Sequence, residues 1–406
     1  IYAGRLVPIG DSFGSIWSAT ALAQVPYLSG IGLPTDPFNW VLSVFGVTLS
    51  SNPSLALAIF VFIAPSLVFA GFWMLTSLLL ARVWVRNLVG LSFALSPQVL
   101  MVQAMAGVAD LVTISVAPWL TFVLIKAATS YNSSRTWRWV GLAGLLAALI
   151  AVSNPMVFFL FVIFVIALGF NNIRKLAILS WFALPGAVLI YPWVLLAVEQ
   201  NQFALLTVSS SAFLLPASLY GSVTALFFLG AAGICAAASL FGTRLAVSVS
   251  SWVVAITLAL GSTYQPIAGS FAMQALSLAA LLVGTGLFLD DLKRKWAITA
   301  ASIAASAGAV ASGLVFGPLA PSQVSFGSQR QAPALVVAAA EVDEGIRTLR
   351  IDANGNQIDV ELLWGAGRSL EQTSLAYQLL LPASPISNEL AQLSGSLVAG
   401  NPSGVQ

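Results

Sequence analysis

Carboxylates are scarce in this sequence, and two of them, Asp11 and Asp36, share one polar stretch at the start of the chain. Of the fourteen Asp and Glu residues only six precede residue 330: Asp11, Asp36, Asp110, Glu199, Asp290 and Asp291. The stretch from Ile1 to Pro37 also carries Arg5, Trp17 and Tyr27, and it lies outside every strongly apolar segment. A carboxylate in such a loop can take a proton from a hydroxyl. A guanidinium matches the geometry of a phosphate. Other chemistries are excluded by composition: there is no His, and the one thiol, Cys235, sits in the apolar run FFLGAAGICAAASLF. No disulfide can close within the chain, and the ligand types for zinc, haem or iron–sulfur clusters are missing, so no metal or cofactor is expected.

What must position these residues is a membrane bundle. The 406 residues are 59% hydrophobic and 7% charged, with a mean hydropathy of +0.94, far outside the soluble range. The apolar runs suit helices crossing ~30 Å of hydrocarbon, not the ~10-residue alternating strands of a barrel. Phe38 to Leu49 is too short to span and reads as an interfacial or re-entrant helix. Spans follow at Ser54 to Leu80 with Pro65 as a kink, at 87–106 interrupted by Ser96-Pro97, and at 111–127, with Gly107 to Asp110 as the turn before the last. Trp139 to Val152 and Met156 to Phe170 are short. They are either spans in a thinned region or a re-entrant pair with Asn154-Pro155 at its tip. Ile173 to Val194, with Pro185 and Pro192, is span six, and 219–241, 245–261, 270–289 and 296–316 complete a set of about ten. Gly and Ser in LVGTGLF and ASIAASAGAVASGL fit close helix packing.

Orientation follows from Lys and Arg. Eleven of the twelve before residue 330 fall at alternate ends of the spans, and only Arg5 falls at the others. The eleven mark the cytoplasmic side, so both ends of the chain are extracytoplasmic in a multi-pass plasma-membrane protein. Asp11, Asp36, Asp110 and Glu199 then lie at the outer face. Asp290-Asp291 reads as part of a cytoplasmic turn beside Lys293, Arg294 and Lys295.

The division expected is an outer loop at 1–37, a helical membrane domain at 38–316, and an outer soluble α/β segment at 317–406. Residues 330–406 carry four basic and eight acidic residues, a net of −4. Ile346 to Asp352 and Gln357 to Leu362 alternate on both sides of Ala353-Asn354-Gly355-Asn356, a strong hairpin signal. Ala334 to Ala340 reads as a third strand, and Ser369 to Leu381 and Ile386 to Val398 as amphipathic helices. The chain begins in mid-loop without Met and trails off without closing a core, which points to a part of something longer.

Each singled-out residue has a plainer reading beside the chemical one. Asp36 precedes Pro37, where turn chemistry and helix capping account for it. Arg5 reads more readily as a headgroup-level anchor or a partner of Asp11 than as a phosphate ligand. Asp110, at the start of a span, either faces a cavity or caps its helix. Glu199 reads as a solvated loop charge. Trp17, Tyr27, Trp40, Trp193 and Tyr264 fit an aromatic belt better than sugar-stacking platforms.

The order of PTDP, an apolar helix, NPSLALAIFVFIAPSLVFAG, FALSP and AMAGVADLVTISVAPWL resembles the membrane region of large actinobacterial family 2 glycosyltransferases. RTLRIDANGNQIDVELLWGAGRSLEQTSL is similar to that family's outer strand pair, Gly-rich turn and helix. The resemblance implies a C-type transferase fold and an upstream cytoplasmic nucleotide-sugar domain. It further implies cell-envelope glycan as acceptor and a polyprenyl-phosphate-linked sugar as donor. C-type transferases use an acid in the first outer loop as base, a role that Asp11, between Gly10 and Ser12, matches better than Asp36. Arg5, Trp17 and Asp110 are then the residues to bind substrate. Nothing points to nucleic acid, and membrane lipids are the other partner. The alternative function is a non-catalytic anchor, scaffold or lipid-linked sugar transporter. A transporter is disfavoured because every charge lies at a span end.

Overall fold

The computed structural model describes residues 37–48, 53–104, 108–130, 132–170, 172–199, 244–263 and 270–291, with short pieces at 25–26, 32–33, parts of 232–241, 338, 347–354 and 357–364. In the opening loop a two-residue ladder pairs β1 (Val25–Pro26) with β2 (Gly32–Leu33), antiparallel. The helix that follows, α1 (Asn39–Thr48), buries Phe38, Val41 and Leu42 on one face and turns Trp40, Val44 and Val47 outward. That spacing is the helical period, so the short segment lies against the bundle by one side.

Helix α2 (Pro53–Thr76) begins on a proline, where no amide donor is needed, and contains Pro65. Pro65 has no N–H to give the carbonyl of Val61 one turn earlier. The Gln103 side chain supplies that donor from outside, Nε2 to the Val61 carbonyl at 3.0 Å. The return segment is two helices, α3 (Val83–Ala94) and α4 (Pro97–Ala104), broken where Ser96-Pro97 stands and starting at Val83, ahead of the expected 87. Ser96 Oγ accepts the Val99 amide at 3.4 Å as the second helix begins.

Helix α5 (Val108–Thr129) is the central element, with 78% of its span buried. It packs on α2, α4, α6 (Ser133–Ser153), α7 (Pro155–Gly169), α8 (Ile173–Ser180) and α11 (Ser270–Asp291). Three asparagines start the helices after it. The Oδ1 atoms of Asn132, Asn154 and Asn172 accept the amides of Ser134, Val157 and Lys175 at 3.0, 3.1 and 3.2 Å. Helix α6 is therefore a full-length segment with Arg135 and Arg138 inside its first turns, not the short Trp139 to Val152 of the sequence reading, and only α7 is short.

Span six is also revised. It is the pair α8 and α9 (Ala183–Glu199), bent by 53°. Pro185 explains the site of the break, because its ring opposes the carbonyl four residues earlier, at Trp181. Helices α10 (Leu245–Thr263) and α11 pack closely. A Cβ on Gly284 would stand 2.9 Å from Ala236 Cβ, and one on Gly286 would stand 2.8 Å from Leu80 Cδ1. The small residues of LVGTGLF thus allow the close approach expected of them. The Ser277 hydroxyl donates across the α10–α11 interface to the Ala255 carbonyl at 2.8 Å.

Among the described residues four helical stretches are long and apolar enough to cross a membrane, Ile59–Thr76, Val108–Thr129, Ser134–Ser153 and Ala272–Asp291, and the bent pair makes up to five. Expected spans at 219–241, in most of its length, and at 296–316 lie outside the described residues. Exposed apolar side chains such as Phe62, Leu145 and Val188 cover the bundle's flank, which suits contact with lipid chains. Near the end of the chain β3 (Arg347–Asn354) and β4 (Gln357–Trp364) form an antiparallel hairpin closing on Asn354 opposite Gln357. Ala338, within the expected third strand, is helical, and the two amphipathic helices expected beyond Ser369 lie outside the described residues.

Candidate functional site

Tracing the helices sorts the polar residues to two ends. One end holds the starts of α3, α6, α8 and α10 and the finish of α2, α5 and α11, and with them Arg82, Arg86, Lys126, Arg135, Arg138, Arg174, Lys175 and Arg244. The other holds the start of α5 and the junction of α6 with α7. The charge separation read from the sequence is thus a feature of the fold.

At the second end Asp110 sits in the first turn of α5, not in a preceding turn, and is only 4% exposed. The helix macrodipole favours a carboxylate there. Helices α5 and α6 have 22 and 21 residues and are joined by a short link, so Asp110 and Asn154 stand at matching levels. Ser153 and Asn154 are fully buried. Asn154 Oδ1 caps α7, while Asn154 Nδ2 and Ser153 Oγ have no hydrogen-bond partner among the described residues. Gln98 of α4 is likewise buried with both amide atoms unmatched among the described residues. Sequence reasoning passed over Gln98 and Ser153. A lone Gln or Ser carries no local signal, although Ser153-Asn154-Pro155 was legible as a junction.

Asp11, Asp36, Arg5 and Trp17 lie outside the described residues. The β1–β2 ladder between Trp17 and Asp36 doubles the loop back on itself, and Asp36 comes three residues before α1. Asp110 is thus the one predicted site residue with described surroundings. Its burial agrees with both readings, a carboxylate facing a cavity and one at a helix start. Trp193 departs from expectation: it is 3% exposed, whereas Trp40 is exposed as a belt residue would be.

The basic end contains an ion-pair node. Asp290 lies in the last turn of α11, not in a solvated turn, with its side chain 3% exposed. Its two oxygens accept the backbone amides of Ala81 and Arg82 at 2.9 and 3.1 Å. Arg82 Nε stands at 3.9 Å and Arg244 Nη1 at 3.4 Å. Arg244 also donates to the Leu79 carbonyl, and Arg86 donates to the Leu80 and Ala81 carbonyls at 2.9 and 3.2 Å. A carboxylate at a helix C-terminus opposes the macrodipole. Two guanidiniums and two amides offset that cost, and the node ties the α2–α3 turn to α10 and α11. Its chemistry is structural: the carboxylate at its centre is buried and takes its hydrogen bonds from backbone amides.

No family model matches the chain, and no curated protein does. Among solved structures, the chain is similar to the arabinofuranosyltransferase AftD from Mycobacteria, with a TM-score of 0.56 and 17% identity over 84% of this chain. It spans 28% of the length of that protein. At this identity the likeness is one of fold alone, between the helical bundle described above and part of that protein.

Proposed function

We propose that this chain is the membrane-embedded part of a glycosyltransferase acting on cell-envelope glycan. The observation that carries the reading is the shared architecture, 84% of the chain superposing on an arabinofuranosyltransferase. The scarcity of acids before residue 330 supports it further, with Asp11, Asp36, Asp110 and Glu199 read at the end opposite most of the bases and only Asp290 and Asp291 among them. In this reading the basic end is cytoplasmic and the acidic loop is outside. The donor is a sugar on a polyprenyl phosphate. Asp11 takes the proton of the acceptor hydroxyl as that oxygen bonds to the anomeric carbon, and the bond from that carbon to the lipid phosphate breaks. Arg5 holds the leaving phosphate. Trp17 lines the sugar site, Asp36 flanks it, and Asp110 holds the start of α5. In this reading a cytoplasmic nucleotide-sugar domain lies upstream of the bundle.

The experiment supplies membranes holding the full-length protein with labelled polyprenyl-phosphate sugar or with labelled nucleotide sugar. Glycan labelled directly from the lipid-linked donor, with the nucleotide pool depleted, is the expected result. Label transferred from the nucleotide sugar alone would overturn this reading and leave the bundle as an anchor for the upstream domain.

A further inference from the structure

The basic end carries a second feature that the Asp290 node does not involve. Helix α8 leaves the line of α9 by 53° at the Pro185 break. Around it Phe170, Ile173 and Trp181 are 82%, 81% and 56% exposed. Trp137 of α6 is exposed too, its ring 6.2 Å from that of Trp181. On the same helices, α6 and α8, Arg135, Arg138 and Arg174 are exposed, and among the described residues none of the three joins the ion pairs to Asp290. Lys175 is used differently: its Nζ donates to the Ala128 carbonyl at 2.8 Å, which fixes α8 against the last turn of α5.

Water would not favour Phe170 and Ile173 bare, and hydrocarbon would not accept three guanidiniums. The headgroup layer accepts both, with paired tryptophans at its level. Guanidiniums bind phosphate oxygens in pairs of hydrogen bonds, and no described carboxylate competes for these three. We infer that α8 and the first turns of α6 form a docking surface for anionic phospholipid headgroups of the leaflet at the basic end. The patch seats the broken span at a fixed depth, independently of which reaction the opposite end performs.

The test uses the full chain in nanodiscs, in a Cys235→Ser background with Ser180→Cys carrying a fluorophore beside Trp181. Quenching is compared for brominated phosphatidylglycerol and brominated phosphatidylcholine at equal mole fraction. Each base near an anionic surface is worth about fivefold in local lipid enrichment. Screening reduces the product for three, so an enrichment of roughly tenfold is expected. Arg135→Gln/Arg138→Gln/Arg174→Gln should bring the ratio close to one while the protein stays monodisperse. Where the triple variant does not fold, Arg174→Gln alone should lower the ratio by about twofold or more. Equal quenching by both lipids in the parent, or an enrichment unchanged by these substitutions, would overturn the proposal. So would its reversal by millimolar glycerol phosphate, which would make the ligand a free phosphate.

Discussion

Replacing Asp290 by Asn should loosen one end of the bundle, and the size of the effect follows from the node. The substitution keeps the shape of the side chain and removes its charge. The carboxylate accepts two backbone amides and faces two guanidiniums, with its own side chain 3% exposed. Breaking a buried ion pair by neutralising one partner costs about 3–5 kcal/mol. Here Arg82 and Arg244 are 36% and 38% exposed, so water takes up part of the loss. Asn also retains one acceptor for the amides. A cost of about 2–3 kcal/mol remains, which for a bundle of this size lowers the apparent melting midpoint by on the order of 5 °C. Unfolding of such a protein is commonly irreversible, so the midpoint is read at one fixed heating rate in one detergent. A double-mutant cycle with Arg244→Gln separates the pair from general damage, with an expected coupling of about 1 kcal/mol. A midpoint within about 1 °C of the parent, or strict additivity of the two changes, would refute the node as a contributor to stability.

Two further outcomes are expected. Gln103→Leu should leave the Val61 carbonyl without the donor that Pro65 denies it, at a cost of about 1–3 kcal/mol; the paired change Pro65→Ala/Gln103→Leu should restore much of that loss, measured by the same melting assay. For sidedness, cysteines placed at Ser134 and Ser209 in intact cells should be labelled by an impermeant reagent at Ser209 and protected at Ser134, and the reverse pattern would invert the whole placement.

Legibility in the sequence depended on how local the cause was. The β3–β4 hairpin was readable because alternation and its turn residues lie within one short stretch, although the ladder closes at Asn354 and Gln357. The helix α1 was readable as an apolar run too short to span. The break at Ser96-Pro97 was marked by its proline, whereas Pro185 signalled trouble without saying that the chain would turn by 53° there. Asp110 was drawn into a turn by the neighbouring Gly107. Packing of α5 among six other helices is a tertiary effect that extends the helix past a weak local signal. The Asp290 node was out of reach for a related reason. Its partners stand 208 and 46 positions away, and charge alternation could assign them a common end but not a common contact. Gln103 shows the same limit, since its role exists only because Pro65 passes beside it.

The most direct measurement is glycan synthesis by the full-length protein carrying Asp11→Asn, with membrane insertion monitored in parallel. The account predicts that product is abolished, a fall of at least about a hundredfold, while insertion and melting are unchanged. Near-normal product from the inserted variant would contradict it.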